Sequence, residues 1–130
     1  MDTAASTKTG KKIVLADDEQ FIAIAYKDGL ERAGYDITVA HNGAEALEAV
    51  KSTKPDLVLL DLIMPKLNGF EVLKAIKADP AIKDIPVIIL SNLSQPTDET
   101  EARQSGALDF IVKADISLKD LVERIAKVFA

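Results

Sequence analysis

Five polar residues follow short apolar runs and could together perform chemistry. Asp17 and Asp18 follow Lys12–Ala16, Asp61 follows Leu57–Leu60, Ser91 follows residues 86–90, and Lys113 follows Asp109–Val112. Ligands of open parallel sheets bind at the carboxyl ends of the strands, so we expect these side chains to converge on one pocket. Three carboxylates, a hydroxyl and an ammonium in one crevice suit a divalent metal ion and a phosphoryl group.

The apolar runs belong to a pattern in which strands and helices alternate five times. The predicted strands are Lys12–Ala16, Asp36–Ala40, Leu57–Leu60, residues 86–90 and Asp109–Val112. The predicted helices are residues 20–33, a segment that begins near Asn42, Gly69–Ala78, residues 97–105 and residues 118–129. Strands three and four are apolar at consecutive positions, which is typical of a parallel sheet covered on both faces. Right-handed crossovers then give an α/β fold with a doubly wound five-stranded parallel sheet.

Local signals mark three of the helices. In the first, apolar residues recur near helical spacing at Phe21, Ile24, Ala25 and Leu30. In the second, Asn42 and Glu45 have the spacing of a capping box, with Asn in place of Ser or Thr. The fourth is almost entirely polar, so we expect weak contacts with the core. It is either a solvated edge helix or a face that shifts and meets a partner.

Composition limits the classes of function. The chain has 130 residues, the size of one domain, and it contains no cysteine, which excludes disulfide and zinc–thiolate chemistry. A net charge of -5 argues against binding to nucleic acid or to an anionic membrane surface. No apolar stretch approaches the roughly 20 residues that span a bilayer. Residues 1–11 are polar, so we predict a flexible tail before a domain at residues 12–130.

The acidic residues predict a specific chemistry. In a sheet with strand order 2-1-3-4-5, strands one and three flank the switch point, so Asp17, Asp18 and Asp61 would repel one another without protons or a cation. Magnesium fits because it prefers oxygen ligands and completes its shell with phosphate. Asp61 could then attack phosphorus and form an acyl phosphate. Lys113 and Ser91 could stabilise the phosphoryl oxygens.

Taken singly, these residues also have ordinary structural interpretations. Asp18 could cap the first helix, Ser91 could punctuate a loop, and Lys113 could be a solvated surface lysine. Their joint placement at the ends of the expected strands favours a functional site over these separate roles.

Three motifs resemble the receiver domain of two-component response regulators. They are VLADDE at residues 14–19, LLDLIMPKLNG at residues 59–69 and DFIVK at residues 109–113. The resemblance covers residues 11–130 and implies a flavodoxin-like (βα)5 three-layer sandwich. It implies that Asp61 accepts a phosphoryl group from a sensor histidine kinase or a histidine phosphotransfer protein. The chain would then be a switch that acts on no external substrate, located in the cytoplasm.

The resemblance also implies roles for the other residues. Mg²⁺ would be held by Asp17, Asp18, Asp61 and the backbone carbonyl of Ile63, with Asp18 preferred over Asp17 as a direct ligand. Lys113 and Ser91 would bind the phosphoryl group, and Ser91 and Phe110 would act as the switch pair. The surface over the fourth and fifth helices would bind a downstream protein partner, and the chain would be a monomer or a weak dimer through those helices.

Some positions depart from the family pattern. Ala114 replaces the common proline after the lysine, so the peptide bond there is either trans or a strained cis bond. Asn92 replaces a very small residue and could narrow access to the phosphoryl site. Phe110 lacks the hydroxyl of the common tyrosine. Ile63 and Leu93 are apolar and should flank the phosphoryl group, so neither could orient water, and we expect a long-lived acyl phosphate.

Other functions remain open from the sequence. A phosphatase of the haloacid dehalogenase type needs a second aspartate where this chain has Ile63. A flavodoxin-like or nucleotide-binding domain needs a phosphate loop that the two carboxylates after strand one do not provide. A pseudo-receiver that binds proteins without phosphorylation is the main alternative. His41 is the sole histidine and precedes the second helix, which makes the chain a poor phosphohistidine donor.

Overall fold

Five parallel strands form the centre of this structure, a computed structural model that describes residues 8–92 and 95–130. The strands are β1 (Lys12–Ala16), β2 (Asp36–Ala40), β3 (Leu57–Leu60), β4 (Val87–Ser91) and β5 (Asp109–Val112). They pair in the order β2-β1-β3-β4-β5, which confirms the predicted doubly wound sheet of order 2-1-3-4-5. Ala16 lies opposite Leu60, so β1 and β3 end level with each other.

Helices cover both faces of the sheet. They are α1 (Gln20–Arg32), α2 (Gly43–Thr53), α3 (Gly69–Ala78), α4 (Pro96–Gln104) and α5 (Leu118–Val128), and a 3-10 turn at Lys113–Asp115 joins β5 to α5. One apolar layer packs Leu30 of α1 and Ile125 of α5 against the sheet. The other layer packs α2, α3 and α4 against the opposite face. The predicted three-layer sandwich is therefore confirmed.

Several element boundaries differ from the prediction by one residue, and α1 and α5 end at Arg32 and Val128 rather than at residues 33 and 129. The sequence placed strand four at residues 86–90, but β4 begins at Val87 and ends at Ser91, which pairs with Val112. Pro86 has no N–H to donate to the ladder, whereas Ser91 keeps its place in it. The fourth helix begins at Pro96 rather than at residue 97, because the first helical position needs no N–H donor.

Only part of the apolar pattern of α1 lies on its buried side. Phe21 is 90% exposed and Ile24 is 64% exposed, whereas Ala23 and Leu30 are buried against the sheet. Ala23 and Leu30 are seven residues apart, which is two helical turns, and they define the face that packs. Phe21 and Ile24 therefore point to the surface, whereas Tyr26 packs against the core.

Caps fix the starts of α2 and α3. The Asn42 side chain accepts from the amide of Glu45, as predicted. The Glu45 carboxylate accepts from the amide of His41 rather than that of Asn42, so the expected box is incomplete. The complete capping box lies at α3, between Asn68 and Glu71, where the sequence prediction did not place one.

The described domain begins before β1. The amide and hydroxyl of Thr9 both donate to the carbonyl of Gly34, and the amide of Asp36 donates to the carbonyl of Lys11. The Lys11 ammonium also lies 5.6 Å from the centre of the Phe129 ring. Part of the predicted tail at residues 1–11 is therefore bonded to the domain, and residues 1–7 lie outside the described residues.

Candidate functional site

The ammonium of Lys113 lies among three carboxylates at the carboxyl edge of the sheet. Its side chain is 4% exposed, and it follows directly after β5. Nζ donates to Oδ2 of Asp17 at 2.6 Å, to Oδ2 of Asp61 at 2.9 Å and to Oε1 of Glu19 at 3.1 Å. The structure thus brings together the residues that follow strands one, three and five, as the sequence predicts.

Asp17 is held from two sides. Its Oδ2 accepts from Lys113, and its Oδ1 accepts from the amide of Glu19 at 2.9 Å. Burial raises the pKa of the Asp17 carboxyl, the two hydrogen bonds lower it, and the net direction is upward. An isolated carboxylate at this depth would be costly, so the bonded ammonium is its main compensation.

The charge of Lys113 is secured by the same contacts. Burial lowers the pKa of Lys113, but the hydrogen bonds to Asp17 and Asp61 outweigh burial, so the pKa lies well above its usual range. The ammonium therefore stays charged at neutral pH. It partly neutralises the negative charge of the pocket.

The backbone around Asp61 depends on a glycine. The Oδ1 of Asp61 accepts from the amide of Ile63 at 3.3 Å, which ties the side chain to the loop after β3. Gly69 begins α3, and its amide donates to the carbonyl of Leu62. A Cβ at Gly69 would lie 2.2 Å from the carbonyl oxygen of Asp61. Only glycine allows α3 to start this close to the segment that carries Asp61.

The structure does not bring Asp18 into the carboxylate cluster. Carboxylate oxygens of Asp17, Glu19 and Asp61 lie within 4.8 Å of one another, whereas Asp18 is exposed. The role of Asp18 as a metal ligand therefore stays a prediction. Sequence reasoning missed Glu19, although it extends the acidic run Asp17-Asp18-Glu19 by one residue.

Two further predicted residues lie on β4, which pairs with β3, and on β5, which pairs with β4. Ser91 is the fully buried last residue of β4. Phe110 of β5 pairs with Ile89 and is buried in the same apolar layer as Ala102 of α4. These positions place both residues on strands that lead to the pocket, and their roles as phosphoryl ligand and switch stay predictions.

The structure describes most of the positions at which the sequence departs from the family pattern. The Lys113–Ala114 peptide bond is trans. Asn92 is exposed at the end of β4, and Ile63 is 58% exposed. Leu93, the expected second flank of the phosphoryl group, lies outside the described residues.

Comparison with known proteins agrees with this geometry. The family described as the response regulator receiver domain matches residues 13–126. The chain belongs to this receiver family. The receiver is 42% identical over 106 residues to the chemotaxis protein CheY of Thermotoga maritima, and the match covers 80% of this chain and 86% of that protein. It is 33% identical over 115 residues to the polar-differentiation response regulator DivK of Brucella anthropi, and the match covers 88% of this chain and 93% of that protein.

Solved structures give the same assignment. The chemotaxis protein CheY4 of Vibrio cholerae superposes with a TM-score of 0.85 at 28% identity, over 92% of this chain and 99% of that one. The receiver domain of the Francisella response regulator 1452 gives a TM-score of 0.84 at 33% identity, over 92% and 97%. The receiver also matches longer regulators, and it spans only 42% of the transcriptional regulatory protein PhoP of Bacillus subtilis.

The donor set of the pocket fits magnesium. The cluster offers carboxylate oxygens from Asp17, Glu19 and Asp61, which are the hard ligands that this ion prefers. Asp17 and Asp61 are buried and follow β1 and β3 at the same edge of the sheet. Among the described residues, no helix is both long and apolar enough to cross a bilayer.

Proposed function

We propose that this receiver accepts a phosphoryl group on Asp61, from a histidine kinase or a histidine phosphotransfer protein, and thereby switches a partner-binding surface. The observation that carries the proposal is the buried contact of the Lys113 ammonium with both Asp61 and Asp17. A carboxylate and an ammonium placed side by side can act as nucleophile and as ligand of the transferred group. The arrangement needs no other group of the chain to supply the nucleophile.

The transfer follows from the positions of these side chains. A carboxylate oxygen of Asp61 forms a bond to phosphorus, the P–N bond of the phosphohistidine breaks, and the imidazole nitrogen leaves with the electron pair. Lys113 donates to a phosphoryl oxygen, and we assign the Ser91 hydroxyl to a second one. Bound Mg²⁺ would supply charge neutralisation for the phosphoryl oxygens.

We assign the ion to carboxylates at the mouth of the pocket. Asp17 and Asp61 are the buried ligands, and the resemblance adds Asp18 and the backbone carbonyl of Ile63. Asp17 is ready for this role because the amide of Glu19 already orients it.

A protein phosphodonor is supported by the surface next to the pocket. Phe21 and Ile24 lie on the first two turns of α1, just after Glu19, and Ile63 lies two residues after Asp61. All three large apolar side chains are exposed. Exposed apolar groups of this size beside a polar pocket favour contact with another protein over binding of a small anion alone.

The surface of α4 and α5 is suited to switching. Within the described residues, Ala102 is the one buried residue of α4. Arg103 of α4 and Arg124 of α5 both bind the carboxylate of Asp109 at the start of β5. Because α4 is held mainly by exposed charges, it can move at small cost. We assign the downstream partner to this surface, where a weak dimer would also form.

The proposal also covers where the receiver works and what it acts on. The net charge of -5 supports a receiver that does not bind nucleic acid or an anionic membrane. We assign the receiver to the cytoplasm. The receiver catalyses its own phosphorylation and dephosphorylation and acts on no external substrate.

Intact mass after incubation with magnesium and acetyl phosphate tests the proposal. We expect a metal-dependent gain of one phosphoryl group in the original chain and none in Asp61→Asn. Acetate leaves here in place of the imidazole. A folded protein that binds magnesium but gains no mass would instead indicate a pseudo-receiver that binds partners without phosphorylation.

A further inference from the structure

The ammonium of Lys113 uses all of its donors. A lysine ammonium has three N–H groups and accepts no hydrogen bond. In this structure it donates to three carboxylates, those of Asp17, Glu19 and Asp61. A phosphoryl oxygen that binds Lys113 must therefore replace one of these partners.

The three partners differ in how easily they can be replaced. Asp17 is buried, makes the shortest bond at 2.6 Å and is also held by a backbone amide. Asp61 is the proposed phosphoacceptor and stays in the pocket. Glu19 makes the longest bond at 3.1 Å, and its side chain is 49% exposed. Because water can solvate the Glu19 carboxylate, this partner is the least costly to release.

The position of Glu19 in α1 gives independent support. Glu19 is the N-cap residue of α1, where side chains commonly accept from the first helical amides. Its side chain makes no such cap bond and binds Lys113 instead. Its backbone amide meanwhile holds Asp17. Glu19 therefore contributes its side chain to the pocket and not to the helix.

We propose that Glu19 is a positioning residue that holds the Lys113 ammonium in the unphosphorylated receiver and releases it to the phosphoryl group. This inference rests on the proposed function. Because the phosphoryl oxygen takes the place of Glu19, the Glu19–Lys113 bond must break when the phosphoryl group binds, and this weakens binding. A weaker bond at position 19 should therefore increase the affinity of the pocket for a phosphoryl group.

The test uses beryllofluoride as a phosphoryl analogue at saturating magnesium. Its half-saturating concentration is measured by NMR titration of the full chain, for the original protein and for Glu19→Gln. Glutamine keeps the length of the side chain and removes its charge. Since a half-exposed ion pair contributes modestly, we expect the half-saturating concentration to fall about threefold, which corresponds to about 0.65 kcal/mol.

Two further variants separate the contact from general charge. Glu48→Gln removes one negative charge from an exposed position of α2, outside the pocket, and should leave the half-saturating concentration unchanged. Glu19→Asp keeps the charge but shortens the side chain, so it should behave like Glu19→Gln.

Several results would overturn the inference. Unchanged or weaker beryllofluoride binding in Glu19→Gln would show that Glu19 does not compete for Lys113. If Glu19→Asp has the same half-saturating beryllofluoride concentration as the original protein, the effect of Glu19→Gln comes from the loss of charge and not from the loss of the contact with Lys113. If the original chain itself neither gains a phosphoryl group nor binds beryllofluoride, the proposed function fails, which is a separate outcome.

Discussion

Replacing Lys113 by methionine should destabilise the metal-free receiver strongly. The substitution keeps much of the buried volume of the side chain but removes the ammonium from Asp17 and Asp61. Removing one partner of a buried ion pair typically costs about 3–5 kcal/mol, because the remaining charge is left without compensation. We expect the free energy of unfolding to fall by this amount at neutral pH. That is a large part of the roughly 5–15 kcal/mol that is common for domains.

The loss should depend on pH with a definite sign. Burial already raises the pKa of Asp17 in the original protein, and removing Lys113 would raise it further. A carboxyl whose folded pKa lies above its unfolded pKa stabilises the fold below the unfolded value and loses that contribution as pH rises through the folded value. The deficit of Lys113→Met should therefore be smallest near about pH 4 and largest at neutral pH and above. In the original protein Lys113 stays charged over this range, because its pKa is raised.

Urea unfolding in the presence of a chelator, repeated at several pH values, measures this difference. The double variant Lys113→Met with Asp61→Asn is the matched comparison, because it removes one of the two stranded carboxylates and should recover part of the loss. A deficit below about 1 kcal/mol at neutral pH, or one that does not shrink on acidification, would refute the view that Lys113 compensates buried carboxylates.

Three further perturbations test other parts of the site. Asp61→Asn should raise metal-free stability by about 1 kcal/mol through reduced repulsion, because asparagine keeps an acceptor oxygen for Lys113, and thermal melts should show smaller stabilisation by magnesium than in the original chain. Gly69→Ala places a Cβ 2.2 Å from the carbonyl oxygen of Asp61, so urea unfolding should show a loss of about 1–3 kcal/mol, and phosphorylation should slow. Ile63→Asn introduces a polar group that can orient water, so intact mass over time should show faster loss of the phosphoryl group; an unchanged decay would remove the basis for a long-lived acyl phosphate.

The sheet could be predicted because its strands carry a simple signal. β1, β2, β3 and β5 have the predicted bounds, since apolar runs between turn residues define where a buried strand begins and ends. The shift of β4 by one residue shows the limit of this reasoning. Ser91 is polar and reads as loop, yet its pairing with Val112 keeps it in the sheet. The pairing depends on a neighbouring strand and is invisible in the local sequence.

The helix faces and the site were predicted less completely. Phe21 and Ile24 have helical spacing, but the buried face of α1 is set by Ala23 and Leu30, because a small residue allows the helix to approach the sheet. In the pocket, residue types predicted Asp17, Asp61 and Lys113 as neighbours. They did not distinguish Asp18 from Glu19, since the direction of each side chain after β1 is decided by the start of α1.

The contacts of β5 suggest how an event in the pocket would reach the surface. Lys113 follows the carboxyl end of this strand and binds the carboxylates. Asp109 begins it and binds Arg103 of α4 and Arg124 of α5. The strand is thus held by charges at both ends, with buried Phe110 directly after Asp109. Under the proposed function, a change in the partners of Lys113 would reach α4 through β5 and Asp109. Because α4 has little apolar contact of its own with the core, a small displacement of Asp109 would be enough to alter its position.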